Sequence, residues 1–430
     1  MSAVRPTPGL RLWGAVATFA WPAAEVWLSL RARKGKEDPE RLNERRGMAS
    51  QARPDGPLVW LHAASVGESQ MALGLAEALT GQRPELHVLI TSGTRTSASL
   101  IATRRMDRVI HQMAPGDRPA WTRRFIAHWR PQAGVFLESE LWPNLIRAAA
   151  ERGVPMALVN ARMNDASLAR WARMNGAFRA LTDVFEWIGA ADARTGQGLE
   201  RLTGRKPALT ANLKLETGGA PPDPEKLAQA RAATGSRPVF TAASTHEGEE
   251  AILARAHARI LKTRPDALMI LAPRHPERAG AAAAALASEG LASARRSKSE
   301  TPDARTPVWL ADTLGEMGLW LALSPAAFIG GSLLDKIGGH NPVEAARAGA
   351  AVLTGPHTAS FDDIYAALRA ENAVLTCADE DAIAETVLAI WDGRGPDRDA
   401  AARALARLPG GALACTCEAI LRLLDAEPRS

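Results

Sequence analysis

Polar and apolar positions change rhythm at about residue 57, and from there a short apolar run is followed by a helical one, repeatedly. PLVWLHA (57–63), LHVLITSG (86–93), AGVFLE (133–138) and PMALVNAR (155–162) are apolar on consecutive positions. That pattern predicts strands buried on both faces of a parallel sheet. QMALGLAEALTG (70–81), TRTSASLIATRR (94–105) and LWPNLIRAAAERG (141–153) predict helices between them, with Gly81 and Gly153 as stops. A Gly- and Pro-rich stretch, TGGAPPD (217–223), breaks the series and reads as a linker. The series then restarts with RPVFTAAS, ALMILAPRH, TPVWLAD, AAFIGGS and AAVLTGP. The expected architecture is α/β, with two doubly wound Rossmann-like domains facing across a cleft. Residues 35–218 form the first, and 219–430, with terminal helices, the second.

Ahead of these lies RLWGAVATFAWPAAEVWLSL (11–30), then the basic run RARKGKEDPERLNERR. Pro22 and Glu25 argue against a bilayer span, and no small-x-small cleavage site stands out. Tryptophans followed by cations suit an interfacial anchor, so residues 1–34 are expected to form a helical membrane-associated segment. Packing on the protein itself is the alternative. The positive charge after the segment would keep the main body on the cytoplasmic side.

Composition narrows the classes further. The 430 residues carry a formal net charge of +5 and only 3 cysteines, so a disulfide framework is excluded and a reducing compartment is expected. The charge is spread along the chain, and the single Tyr offers no base-stacking platform, so nucleic acid is not an expected partner. Neither a GxGxxG fingerprint nor a P-loop is present, and no His/Asp cluster has metal-ligand spacing. No metal site and no cofactor are expected.

The polar motifs fall at strand ends, where open α/β sheets bind ligands. Glu68, closing HAASVGE, is either a helix-start carboxylate or a general base with a burial-raised pKa. Glu138 and Glu140 flank Ser139; in a continuing strand they would share a face and raise each other's pKa. In the second half, GGHNPVE places amides and Asn341 at a helix start suited to an anion, with Glu344 one turn inside, able to accept from ribose hydroxyls. Arg274 and His275 could supply cations to a phosphate. The residues alone thus imply an enzyme with a nucleotide-like anion in its second half and acceptor chemistry in its first.

In order, HAASVGE, ESELWPN, NARMNDAS, NLK, STHEGEE, PRHPER, DTLGEM, GGHNPVEAA and GPHTASF resemble the 3-deoxy-D-manno-octulosonic acid (Kdo) transferases of lipopolysaccharide synthesis, glycosyltransferase family 30. The resemblance covers roughly residues 35–400. Ser139 stands where the family has Thr, and Ala211 and Ala311 where it has Gly. The resemblance implies the GT-B fold and inverting, metal-independent transfer of Kdo from CMP-Kdo to the lipid A disaccharide precursor (lipid IVA), at the cytoplasmic face of the cell inner membrane. It implies Glu68 as base, with Glu138 and Lys214 assisting the transition state. Arg274 with His275, Gly315, Glu316 and Met317, and Asn341, Pro342, Val343 and Glu344 match the CMP-contacting segments. A GT-B sugar-nucleotide epimerase and a non-catalytic membrane-surface binding protein are the competing readings. The anchor segment counts against the epimerase, and the acidic strand ends count against the binding protein.

Overall fold

The structure is a computed structural model that describes residues 4–33, 37–217, 222–397 and 399–426. The boundaries drawn at 34/35 and 218/219 fall outside the described residues. The chain divides into two compact units, Met1–Gly218 with Pro409–Ser430, and Gly219–Leu408.

The first unit holds β1 (Leu58–Ala63), β2 (His87–Ser92), β3 (Val109–Met113), β4 (Ala133–Leu137), β5 (Met156–Ala161), β6 (Phe185–Ala190) and β7 (Leu209–Thr210). They lie in the order β3-β2-β1-β4-β5-β6-β7, every pair parallel. The second unit holds β8 (Val239–Thr245), β9 (Leu268–Pro273), β10 (Ser293–Arg295), β11 (Val308–Leu310), β12 (Ala326–Ile329), β13 (Ala351–Thr354) and β14 (Val374–Thr376). Their order is β10-β11-β9-β8-β12-β13-β14, again all parallel. In each sheet the chain first fills one side, with β11 inserted between β9 and the edge strand β10 in the second, then crosses back to continue on the other. The reversal falls between β1 and β4 in one sheet and between β8 and β12 in the other, and such switch points leave a crevice beyond the strand carboxyl ends.

The central strands are buried on both faces, as their unbroken apolar runs require. β3, β6, β7, β10 and β14 add to the strands that those runs predict. They flank the sheet centres, and several are short or carry exposed positions, so their sequences show no such run.

One expectation needs correction. The terminal helix Ala412–Asp425 belongs to the first unit, not the second: Cys417, Ile420 and Leu423 join the core formed with Leu75, Leu79 and Val135. Its opening amides at Ala412 and Leu413 donate to Glu216, at 2.7 and 3.0 Å, so a carboxylate distant in sequence caps it. The amino-terminal segment packs on the first unit. It forms two helices, Pro8–Phe19 and Trp21–Arg33, and Pro22 sits in the first turn of the second. Leu10 is buried in the first unit's core, and the Trp13 indole donates to Asp117 at 2.8 Å. Among the described residues no helix is long and apolar enough to cross a membrane.

Glu216→Ala should remove both cap bonds of the terminal helix and lower stability by about 1–2 kcal/mol. Urea unfolding of the full chain would measure the loss.

Candidate functional site

In the first unit the site is built at the β1/β4 switch point. Ser65 caps the helix Val66–Gln82, its side chain accepting from the Glu68 amide. The Glu68 carboxylate turns back onto the same turn. It accepts the Ala64 amide at 2.7 Å on Oε2 and the Ser65 hydroxyl at 2.7 Å on Oε1. The small residues of HAASVGE therefore hold this carboxylate in place. A Cβ at Gly93, on the neighbouring β2 loop, would come within 2.7 Å of the Ala64 carbonyl oxygen, so glycine is needed there.

Glu68 is buried, and its pKa is pushed up to about 7, first by burial and then by the charges of Glu138 and Glu140. The two hydrogen bonds oppose that rise without cancelling it. A carboxylate titrating near neutrality is matched to proton transfer at physiological pH.

β4 stops at Leu137, so Glu138 and Glu140 do not lie on a continuing strand, and the expected alternation of faces does not apply. Glu138 instead takes a left-handed backbone, φ 56°, which costs a non-glycine residue energy. Its carboxylate pairs with Lys214. Lys214 reaches this point from the turn after β7, and its ammonium lies 3.7 Å from where a Cβ on Gly67 would sit. Asn160 organises that approach. It lies at a bulge in β5 with φ 54°, and its side-chain oxygen accepts the Leu213 amide at 2.8 Å. Glu140 accepts the Trp142 indole N–H at 2.7 Å, and burial is the main cause of its raised pKa. The Trp142 ring packs edge-on against His62, at 4.9 Å between centroids. His62 is wholly buried and held neutral, its pKa lowered to about 3 by desolvation. The structure brings Glu68, Glu138 and Lys214 together. Asn160, Trp142 and His62 join them with no chemical signal in the sequence beyond their place in the motifs.

In the second unit the β8/β12 switch point carries a histidine cluster. His246, just after β8, stacks on His340 at 5.0 Å with their Nε2 atoms 2.7 Å apart. Its ring also meets His275 edge-on at 5.8 Å. Burial lowers the pKa of His246 and His275, and lowers that of Arg274. Glu249 shapes the loop beneath: it accepts the amides of His246, Gly331, Ser332 and Leu333 at 2.7–3.0 Å. Arg274, His275 and Asn341 therefore converge around His246 and His340, two residues that motif reading did not single out.

The remaining expected contacts are less open. The Asn341 side-chain oxygen is spent on the Val343 amide at 3.1 Å, closing a turn before a helix of only five residues, Val343–Arg347. The anion-ready helix start expected there is therefore partly self-satisfied. Glu344 is half-buried within it, and desolvation raises its pKa. Glu316, one residue after Gly315 (φ 76°), has both oxygens engaged by Arg296 at 3.0 and 3.1 Å, with Thr313 and Lys226 alongside. Its charge is compensated inside the protein. The helix that Met317 opens packs against Val343–Arg347, which puts these segments side by side.

Comparison with known proteins follows the same motifs. Residues 40–217 match the family described as 3-Deoxy-D-manno-octulosonic-acid transferase (kdotransferase). The chain is 33% identical over 355 residues to the 3-deoxy-D-manno-octulosonic acid transferase of Rickettsia bellii, covering 83% of this chain and 84% of that one. It is 36% identical over 370 residues to the enzyme of that name from Bordetella pertussis, covering 83% and 86%. The crystal structure of UDP-GlcNAc 2-epimerase from Neisseria meningitidis bound to UDP-GlcNAc superposes with a TM-score of 0.55 at 14% identity, covering 86% of this chain and 99% of that one. At that identity the likeness concerns the fold alone.

Because the folded pKa of Glu68 lies above its ordinary value of 4.5, its stabilising contribution is complete below pH 4.5 and is lost as pH rises through about 7. Between those limits the wild type should lose on the order of 3 kcal/mol relative to Glu68→Gln. Denaturant unfolding of both proteins from pH 4.5 to 8 would test this; parallel curves would contradict it.

Proposed function

This chain belongs to the 3-deoxy-D-manno-octulosonic acid transferase family, and from that premise we propose that it is a GT-B glycosyltransferase moving Kdo from CMP-Kdo to lipid IVA, with inversion. The observation that carries the catalytic assignment is the buried Glu68 carboxylate with its pKa near 7. As base, Glu68 takes the proton of the attacking sugar hydroxyl while the new glycosidic bond forms and CMP leaves with the bonding electrons. The hydrogen bonds from Ala64 and Ser65 fix its orientation beforehand. Lys214, paired to Glu138, supplies a cation beside the reacting centre. The charge of the departing phosphate falls to Arg274, His275 and backbone amides, and the reading needs no metal in the transfer step.

The same reading places the protein at the cytoplasmic face of the inner membrane. Its support is an apolar face on the amino-terminal helices. Leu12, Val16 and Phe19 follow one another at helical spacing on the first and are exposed, Phe19 to 82%. Val26, Trp27 and Leu30 are exposed on the second. Such side chains suit shallow burial among lipid headgroups, and the helices lie on the surface with no need to span.

Glu68→Ala should lower transfer by at least about a hundredfold while leaving CMP-Kdo affinity nearly unchanged. A variant that keeps most of its turnover removes Glu68 as base. In the wild type, kcat/KM should rise with pH through about 7, the limb on which Glu68 loses its proton. Arg274→Ala should weaken CMP binding measured by calorimetry; unchanged affinity would remove that contact.

A further inference from the structure

A cavity of about 390 Å³ lies in the first unit, where the helix Pro8–Phe19 crosses the helices Pro119–Trp129 and Pro143–Glu151. That volume is within the range of ligand sites. The first helix contributes one stripe to it, from Arg11 through Gly14 and Thr18 to Phe19. Gly14 is the close point. A side chain there would stand 3.5–3.6 Å from Asn144 and Arg147, so its absence keeps the crevice open.

Arg11, Arg123 and Arg147 line the cavity, and Glu151 is the one carboxylate in its lining. Glu151 meets Arg123 at 3.4 Å and Arg147 at 3.6 Å, both long and partly exposed. Pairs of that kind bind weakly and exchange readily for a better anion. The lining therefore keeps an excess of positive charge. Phe19 belongs both to the cavity wall and to the exposed apolar face that continues through Val16 and Leu12. A cationic crevice thus opens directly beside an apolar surface. The acidic strand ends that form the candidate site contribute nothing to its walls.

We propose that this crevice is a binding site for the headgroup phosphate of an anionic glycerophospholipid, with the lipid's acyl chains lying along Phe19 and Val16. Three guanidiniums match phosphate oxygens in geometry and charge, and the apolar neighbour fits the chain attached to that phosphate. The inference rests on the membrane-surface reading above and deepens it: the contact is with a particular lipid chemistry at a particular place.

The test uses full-length protein in flotation with vesicles of phosphatidylcholine alone and with added phosphatidylglycerol. Arg11→Gln/Arg123→Gln/Arg147→Gln should bind phosphatidylglycerol vesicles roughly tenfold to a hundredfold more weakly than wild type, with binding to phosphatidylcholine unchanged. Removing three exposed arginines elsewhere on the unit (Arg104, Arg170 and Arg201 to Gln) should cost clearly less. Equal losses from the two triple variants would overturn the site in favour of diffuse charge attraction. Glu151→Gln takes away the competing carboxylate and should tighten binding several-fold. No gain there would also count against the site, and this variant does not depend on the arginine variants folding. Millimolar inorganic phosphate should leave wild-type binding unaltered at constant ionic strength; displacement would identify a free-phosphate site instead. If wild-type protein binds neither vesicle, the membrane-surface reading itself fails.

Discussion

A parallel sheet cannot turn back on itself, and both units obey that constraint. Each strand must be followed by a crossover, so all the strand-to-helix loops of one sheet emerge on the same edge. Where the order reverses, at β1/β4 and at β8/β12, adjacent loops diverge to opposite faces and leave room between them. Glu68 and Glu138 stand on either side of the first such gap, and His246 and the Gly330–Gly331 turn on either side of the second. The position of the chemistry follows from strand order, before any side chain is considered.

Within the first gap, electrostatics and backbone strain are coupled. Three carboxylates, Glu68 buried and Glu138 and Glu140 half-buried, are gathered in one place, which is unfavourable unless some are neutral or paired. Glu138 resolves its share by pairing with Lys214, and Glu68 by holding its proton to about pH 7. Glu140 takes a hydrogen bond from Trp142. Left-handed backbone at Glu138 and Asn160 aims these groups at a cost that the surrounding sheet must absorb. Gathering these carboxylates and holding two residues in left-handed backbone both cost stability.

The second gap works through backbone geometry. Glu249 draws four amides of two separate loops onto one carboxylate, fixing the turn that carries His340 opposite His246. Arg274 and His246 are half-buried there, and desolvation lowers the pKa of both and of the more exposed His275.

The apolar runs in the sequence specified the central strands, because a strand buried on both faces has no polar position to vary. The ordered motifs specified the family, because each motif is a local loop at a strand end. Flanking strands such as β3 and β6 were not legible, since half-exposed strands mix polar and apolar residues. Nor could the sequence show that the terminal helix packs on the first unit, where Glu216 caps it across 196 positions. It likewise left open that Glu316 is already neutralised by Arg296, and that His246 meets His340. Those outcomes depend on contacts between residues far apart in the chain, and only the tertiary structure decides which distant groups share a buried space.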